Sequence, residues 1–108
     1  MGKFIISKDK NGEFRFKLTA NNGETILVSE GYSSKANCNN GIESVRTNSQ
    51  EESRFIKKTA SNGKYYFNLA AVNSQIIGVS EMYETIAGRD SGIYAVKMNA
   101  PTAPVDGI

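Results

Sequence analysis

Residues Phe14–Tyr32, FRFKLTANNGETILVSEGY, decide the fold. Phe14, Phe16, Leu18 and Ala20 alternate with Arg15, Lys17 and Thr19. A period of two marks a strand with one buried face. Asn21-Asn22-Gly23 then breaks the pattern as a turn, since glycine accepts the left-handed backbone of tight turns. The alternation resumes with Ile26 and Val28 assigned to the buried face and Thr25, Leu27 and Ser29 to the other. The stretch returns at Tyr65–Tyr83, YYFNLAAVNSQIIGVSEMY, 51 residues on and without a gap. Tyr65, Phe67, Leu69 and Ala71 repeat the inward set of the first strand, and Ile77 and Val79 repeat Ile26 and Val28.

Working outward, Lys3–Lys8 is a short β-rich run that Asn11-Gly12 turns back as a hairpin, and Phe55 and Asn62-Gly63 repeat this. Ser34 and Thr85 are helix N-caps. They open helices over 34–48, with the stripe Cys38, Ile42 and Val45 beside Ala36 and Gly41, and over 85–99, with Ala87, Gly92, Ile93 and Val96. The gapless agreement is an internal duplication. It predicts an α+β domain over 1–100 built of two β-β-β-α repeats, 3–50 and 53–100, with six strands and two helices. A lone three-stranded unit with one helix has a marginal core, which favours one joint sheet. Residues 101–108 follow Ala100 and hold both prolines, Pro101 and Pro104. They read as a flexible tail that folding does not need.

The run EGYSSKANCNNGIESVR, with FRFKLTANNGETIL before it, resembles the YegP-like family of small bacterial proteins, a domain of unknown function. KKTASNGKYYFNLAAVNSQIIG resembles the second repeat of that family equally well. The resemblance covers residues 3–100. It implies a β(3)-α-β unit present twice, a single antiparallel sheet with both helices on one face, and exchange of strands between the halves. Single-repeat members would reach the same arrangement as homodimers. It carries over no catalytic residue.

Composition narrows the chemistry. The 108 residues carry a net charge of +2, too small by itself to argue for nucleic acid. There is no histidine, which removes histidine-based acid–base catalysis and metal binding. The one cysteine, Cys38, rules out an intrachain disulfide, fits a reducing compartment, and reads as core because it lies on the helix stripe. No metal site and no cofactor are expected. No apolar run approaches the roughly 20 residues of a membrane helix, and no secretory leader is evident. The expectation is a cytoplasmic monomer, a pseudo-dimer within one chain.

Two groups of residues compete as a site. The first is the repeated Ser-Glu-x-Tyr, Ser29, Glu30 and Tyr32 with Ser80, Glu81 and Tyr83. Paired carboxylates at Glu30 and Glu81, with Tyr32 and Tyr83, would be the machinery of an enzyme. The structural reading weighs more: tyrosine anchors the strand-to-helix corner, and glutamate bonds to free N–H groups at the helix start. The second group is the sheet face away from the helices, with Arg15, Lys17, Lys64, Tyr66 and Asn68, and with Thr25, Leu27 and Ile76 beside them. Basic groups with an aromatic suit single-stranded nucleic acid, and exposed aliphatics suit a protein partner. A solvated sheet face has the same composition without any ligand. The sequence therefore predicts a non-catalytic binding or interaction module using that face. Single-stranded nucleic-acid binding is the first alternative and the Glu30/Glu81 enzyme the second.

Overall fold

The computed structural model describes residues 2–107, so the expectations placed on Met1 and Ile108 lie outside the described residues. Three strands, β1 (Phe4–Lys8), β2 (Phe14–Thr19) and β3 (Thr25–Val28), lead into helix α1 (Lys35–Asn48). A 3₁₀ turn at Glu52–Arg54 opens the second copy, β4 (Phe55–Thr59), β5 (Tyr65–Ala70), β6 (Ile76–Val79) and α2 (Ile86–Asn99), before a last strand β7 (Val105–Gly107). The turn glycines Gly12, Gly23 and Gly63 all have φ between 82° and 85°. Ser34 and Thr85 cap the helices, their hydroxyls accepting the N–H of Asn37 and Gly88.

The strands form one sheet in the order β4-β5-β6-β3-β2-β1-β7. Val28 of β3 pairs with Val79 of β6. These are equivalent residues of the two copies, so a pseudo-twofold axis passes between them. Both helices cover one face, and each spans the two halves: α1 packs on β2 and also on β5 and β6, and α2 packs on β5 and β3. Phe4, Phe16, Leu18, Ile42 and Val45 are fully buried together with Phe67, Leu69 and Val96. Paired edge-on rings repeat in the halves, Phe4–Phe16 at 5.8 Å and Phe55–Phe67 at 5.6 Å.

Three expectations need correction. Residues 101–107 are not a loose tail. Val105–Gly107 runs parallel to β1, Phe4 N–H donates to the Pro104 carbonyl at 2.8 Å, and Ala100 and Ala103 are buried. Among the described residues the sheet thus has seven strands and one parallel pairing. A segment this short carries no periodicity from which to read a strand, and its backbone partners supply the order.

The second correction concerns β3 and β6. Leu18 pairs with Leu27 and Thr19 with Thr25, so Ile26 is an extra residue, a β-bulge. A bulge shifts every later side chain to the opposite face. Leu27 is accordingly fully buried rather than on the open face, and Val28 leaves the core. The second copy repeats the bulge, with Leu69 opposite Gly78 and Ala70 opposite Ile76, which leaves Val79 exposed.

The third concerns the margins of the core. Phe14 and Tyr65, expected inside, are half-buried at the strand ends, and Ala36 and Ala87 are exposed. Arg89 stands where the first copy has Cys38. It folds its guanidinium over the Tyr65 ring, 5.8 Å from the centroid, and pairs with Asp90 at 3.3 Å.

Candidate functional site on the helix-free sheet face

The Ser-Glu-x-Tyr motif resolves into structural parts. Ser29 Oγ accepts the Phe16 N–H at 2.9 Å and donates to the Glu30 carbonyl at 2.8 Å. Ser80 does the same for Phe67 and Glu81. Each serine therefore pins the end of one strand to the next. Tyr32 and Tyr83 extend that pairing through bridges to Phe14 and Tyr65, then lay their rings against α1 and α2. A Cβ at Gly41 or Gly92 would collide with the Tyr32 or Tyr83 hydroxyl, which explains a glycine in mid-helix at the same place twice. Burial, assisted by Glu30 and Glu81, pushes both phenols above their usual range, so neither is a base at neutral pH. Burial likewise raises the Cys38 thiol, which disfavours the nucleophilic thiolate.

Glu30 and Glu81 are exposed, and their carboxylates hold no helix N–H among the described residues; the caps are Ser34 and Thr85. The two glutamates do not converge. Glu30 and Tyr32 line an open groove of about 620 Å³ against Asn73 and Gln75 of the other copy. Glu81 and Tyr83 line a separate one of about 400 Å³ against Glu24 and Thr25. Among the described residues, no cluster of His, Cys, Asp or Glu could hold a metal ion. Nor, among the described residues, is any helix long and apolar enough to cross a membrane.

On the open sheet face one row runs straight across all seven strands. Strand register sets Ile56 beside Asn68, then Val79, Val28, Lys17, Ile5 and Asp106. Ile56 and Val79 are 39% and 37% exposed, and Val28 and Ile5 are half-buried. Four of the seven are aliphatic. Asn68, between Ile56 and Val79, has a buried Oδ1 with no hydrogen-bond partner among the described residues. A second row sets Lys58 beside Tyr66 in one half and Ser7 beside Arg15 in the other.

The expected basic residues are less free than their number implies. Arg15 Nε bonds Asp9 Oδ2 at 2.9 Å, and Lys64 Nζ pairs with Glu84 at 3.0 Å. The Arg15 hydrogen bond, with the N–H groups of Glu13 and Asn11, holds the Asp9 carboxyl below its ordinary range. Lys17 makes no ion pair among the described residues and stands in the aliphatic row. The residues that sequence reading missed on this face are Ile5, Val28, Ile56 and Val79. Alternation in KFIISK places Ile5 opposite Phe4 and Ile6 and could have found it, and Ile56 likewise opposite Phe55. Nothing in TILV shows the bulge that exposes Val28.

Comparison with known proteins agrees with this architecture. Residues 9–55 and 60–106 each match the model of the Domain of unknown function (DUF1508). The two matches differ by the repeat offset of 51 residues, and each ends in the strand after a helix, β4 or β7. The chain is 57% identical over 104 residues to the UPF0339 protein YegP of Escherichia coli O6:H1, covering 96% of this chain and 94% of that one. It is 50% identical, with the same coverage, to a UPF0339 protein in the ptx operon 5′ region of Stutzerimonas stutzeri. Among solved structures, the solution structure of yegP from E. coli, a protein of unknown function, superposes with a TM-score of 0.93 at 55% identity, covering 98% of this chain and 91% of that one. A UPF0339 protein from Shewanella oneidensis also gives 0.93, at 50% identity, covering 98% and 90%. With both repeats matched and the fold shared along nearly its whole length, the chain belongs to the DUF1508 family of bacterial UPF0339 proteins.

Proposed function

We propose that the protein is a non-catalytic binding module whose site is the helix-free sheet face, and that its partner is a protein. The row Ile56–Asn68–Val79–Val28–Lys17–Ile5–Asp106 carries this reading. An antiparallel sheet with one solvated face commonly alternates apolar residues inward with polar ones outward. Here the branched aliphatics Val79 and Val28 occupy the centre, flanked by Ile56 and Ile5.

Nucleic acid is the weaker reading. Tyr66 is the one aromatic of the proposed face, and Arg15 and Lys64 already hold carboxylates. Stacking platforms combine several aromatics with free positive charge. The enzyme reading loses its basis because Glu30 and Glu81 line separate grooves.

Labelled protein titrated with single-stranded oligonucleotides and then with lysate of the native host tests this. Amide shifts at Ile5, Val28, Asn68 and Val79 with lysate alone are expected. Shifts at Arg15, Lys17, Lys64 and Tyr66 with oligonucleotide, fading as salt rises, would replace the protein partner by nucleic acid.

A further inference from the structure

The two edges of the sheet are equivalent by sequence but not by occupancy. At the β1 edge the chain covers itself: Ala100 and Ala103 are buried beside α1, Arg46 Nη1 donates to the Ala100 carbonyl at 2.8 Å, and Val105–Gly107 adds a parallel strand. At the other edge, β4 ends the sheet. Between it and α2 lies a groove of about 280 Å³.

The backbone there is poised as at β1. Phe4 N–H faces outward to Pro104, and residues two apart share that direction. The equivalents on β4 are Phe55 and Lys57. Phe55 N–H is closed by the Glu52 carbonyl. The Phe55 carbonyl and both backbone groups of Lys57 face outward, with no strand beside them among the described residues. Ile93 and Tyr94 line the groove. Its charges are paired internally, Lys57 with Asp90 at 3.6 Å and Lys97 with Glu52 at 3.1 Å. The outer side of α2 is also more apolar than that of α1. Tyr94 and Met98, 62% and 60% exposed, stand where α1 has Glu43 and Thr47.

We propose that the β4 edge and the β4–α2 groove bind an extended segment of another protein that sets an apolar side chain into the groove, added as a strand parallel to β4. The chain's own Pro104–Gly107 on β1 is the template for that occupant. Its Val105 position would set an apolar side chain on Ile93 and Tyr94, where internally paired charges call for no further ion. Strand addition gains affinity from main-chain hydrogen bonds and specificity from alternate side chains. A second copy is a poor occupant: joining two β4 edges would bring the Lys57–Lys58 pairs together, where like charges across strands repel, and a second copy's Pro104–Gly107 is already held by its own β1.

The test is an amide-shift titration of labelled full-length protein with an end-blocked peptide of sequence TAPVDG, that of residues 102–107. Saturable shifts at Phe55, Lys57, Thr59 and Tyr94 are expected. In Lys57→Pro, which removes an outward N–H that the β4–β5 ladder does not use, binding should weaken roughly five- to tenfold. Tyr94→Asp, on the exposed helix surface, should weaken it comparably without altering the melt. Shifts at Phe4 and Ile6 instead would mean the peptide only displaces β7, and would overturn the proposal. So would no shifts at millimolar peptide, or β4 shifts that depend on protein concentration alone and mark self-association.

Discussion

Leu27 and Gly78 hold equivalent places in the two copies and meet beside the pseudo-twofold axis. A Cβ on Gly78 would stand 2.7 Å from the Leu27 side chain. Two leucines could not share that space, so divergence between the copies is a packing requirement here. Gly78→Ala should therefore cost about 1–3 kcal/mol. Leu27→Ala should cost about 2–5 kcal/mol by leaving a cavity. The double variant should be more stable than the sum of the two, and chemical denaturation of all four proteins measures that coupling. Ser74 offers a change of opposite sign. It sits at φ 71°, where the first copy places Gly23 at φ 84°. Ser74→Gly should stabilise by about 0.5–1 kcal/mol, read as a higher denaturation midpoint.

At the scale of elements, the helices and four of the strands were legible in the sequence. Their signals were local: alternation in FRFKLT, Asn-Gly turns, a serine or threonine before each helix stripe. β3 and β6 were legible as strands but not by face, because a bulge is set by pairing with Leu18 and Leu69 rather than by the residues it moves. Which residues of the proposed site face away from the helices was legible where no bulge intervened, at Arg15, Lys17, Tyr66 and Asn68. β7 was invisible because its order comes from β1. Deleting residues 104–108 should lower stability by about 1–3 kcal/mol through lost backbone hydrogen bonds. An unchanged melting curve would return the segment to the role of a dispensable tail. The tyrosine corners set an alkaline limit. Because burial raises the folded-state phenols of Tyr32 and Tyr83, their contribution is fully present below the unfolded value of about 10 and is lost as pH rises through the folded value. Phenolate absorbance and circular dichroism, followed together, should show ionisation and unfolding coincide above about pH 10.

For the molecule as a whole, interlocking of the halves through α1 and α2 gives one continuous sheet with one face free of helices. That face, with its row of branched aliphatics, supports the binding reading. Asn68→Leu removes an amide whose oxygen has no partner, so it should leave stability equal or higher. The decisive measurement is the amide-shift map of labelled protein in native-host lysate, recorded for the parent and for Val28→Lys/Val79→Lys with unchanged melting. The account expects shifts along Ile5, Lys17, Val28, Asn68 and Val79 in the parent and their loss in the variant. Shifts confined to the exposed surfaces of α1 and α2, or identical in both proteins, would contradict it.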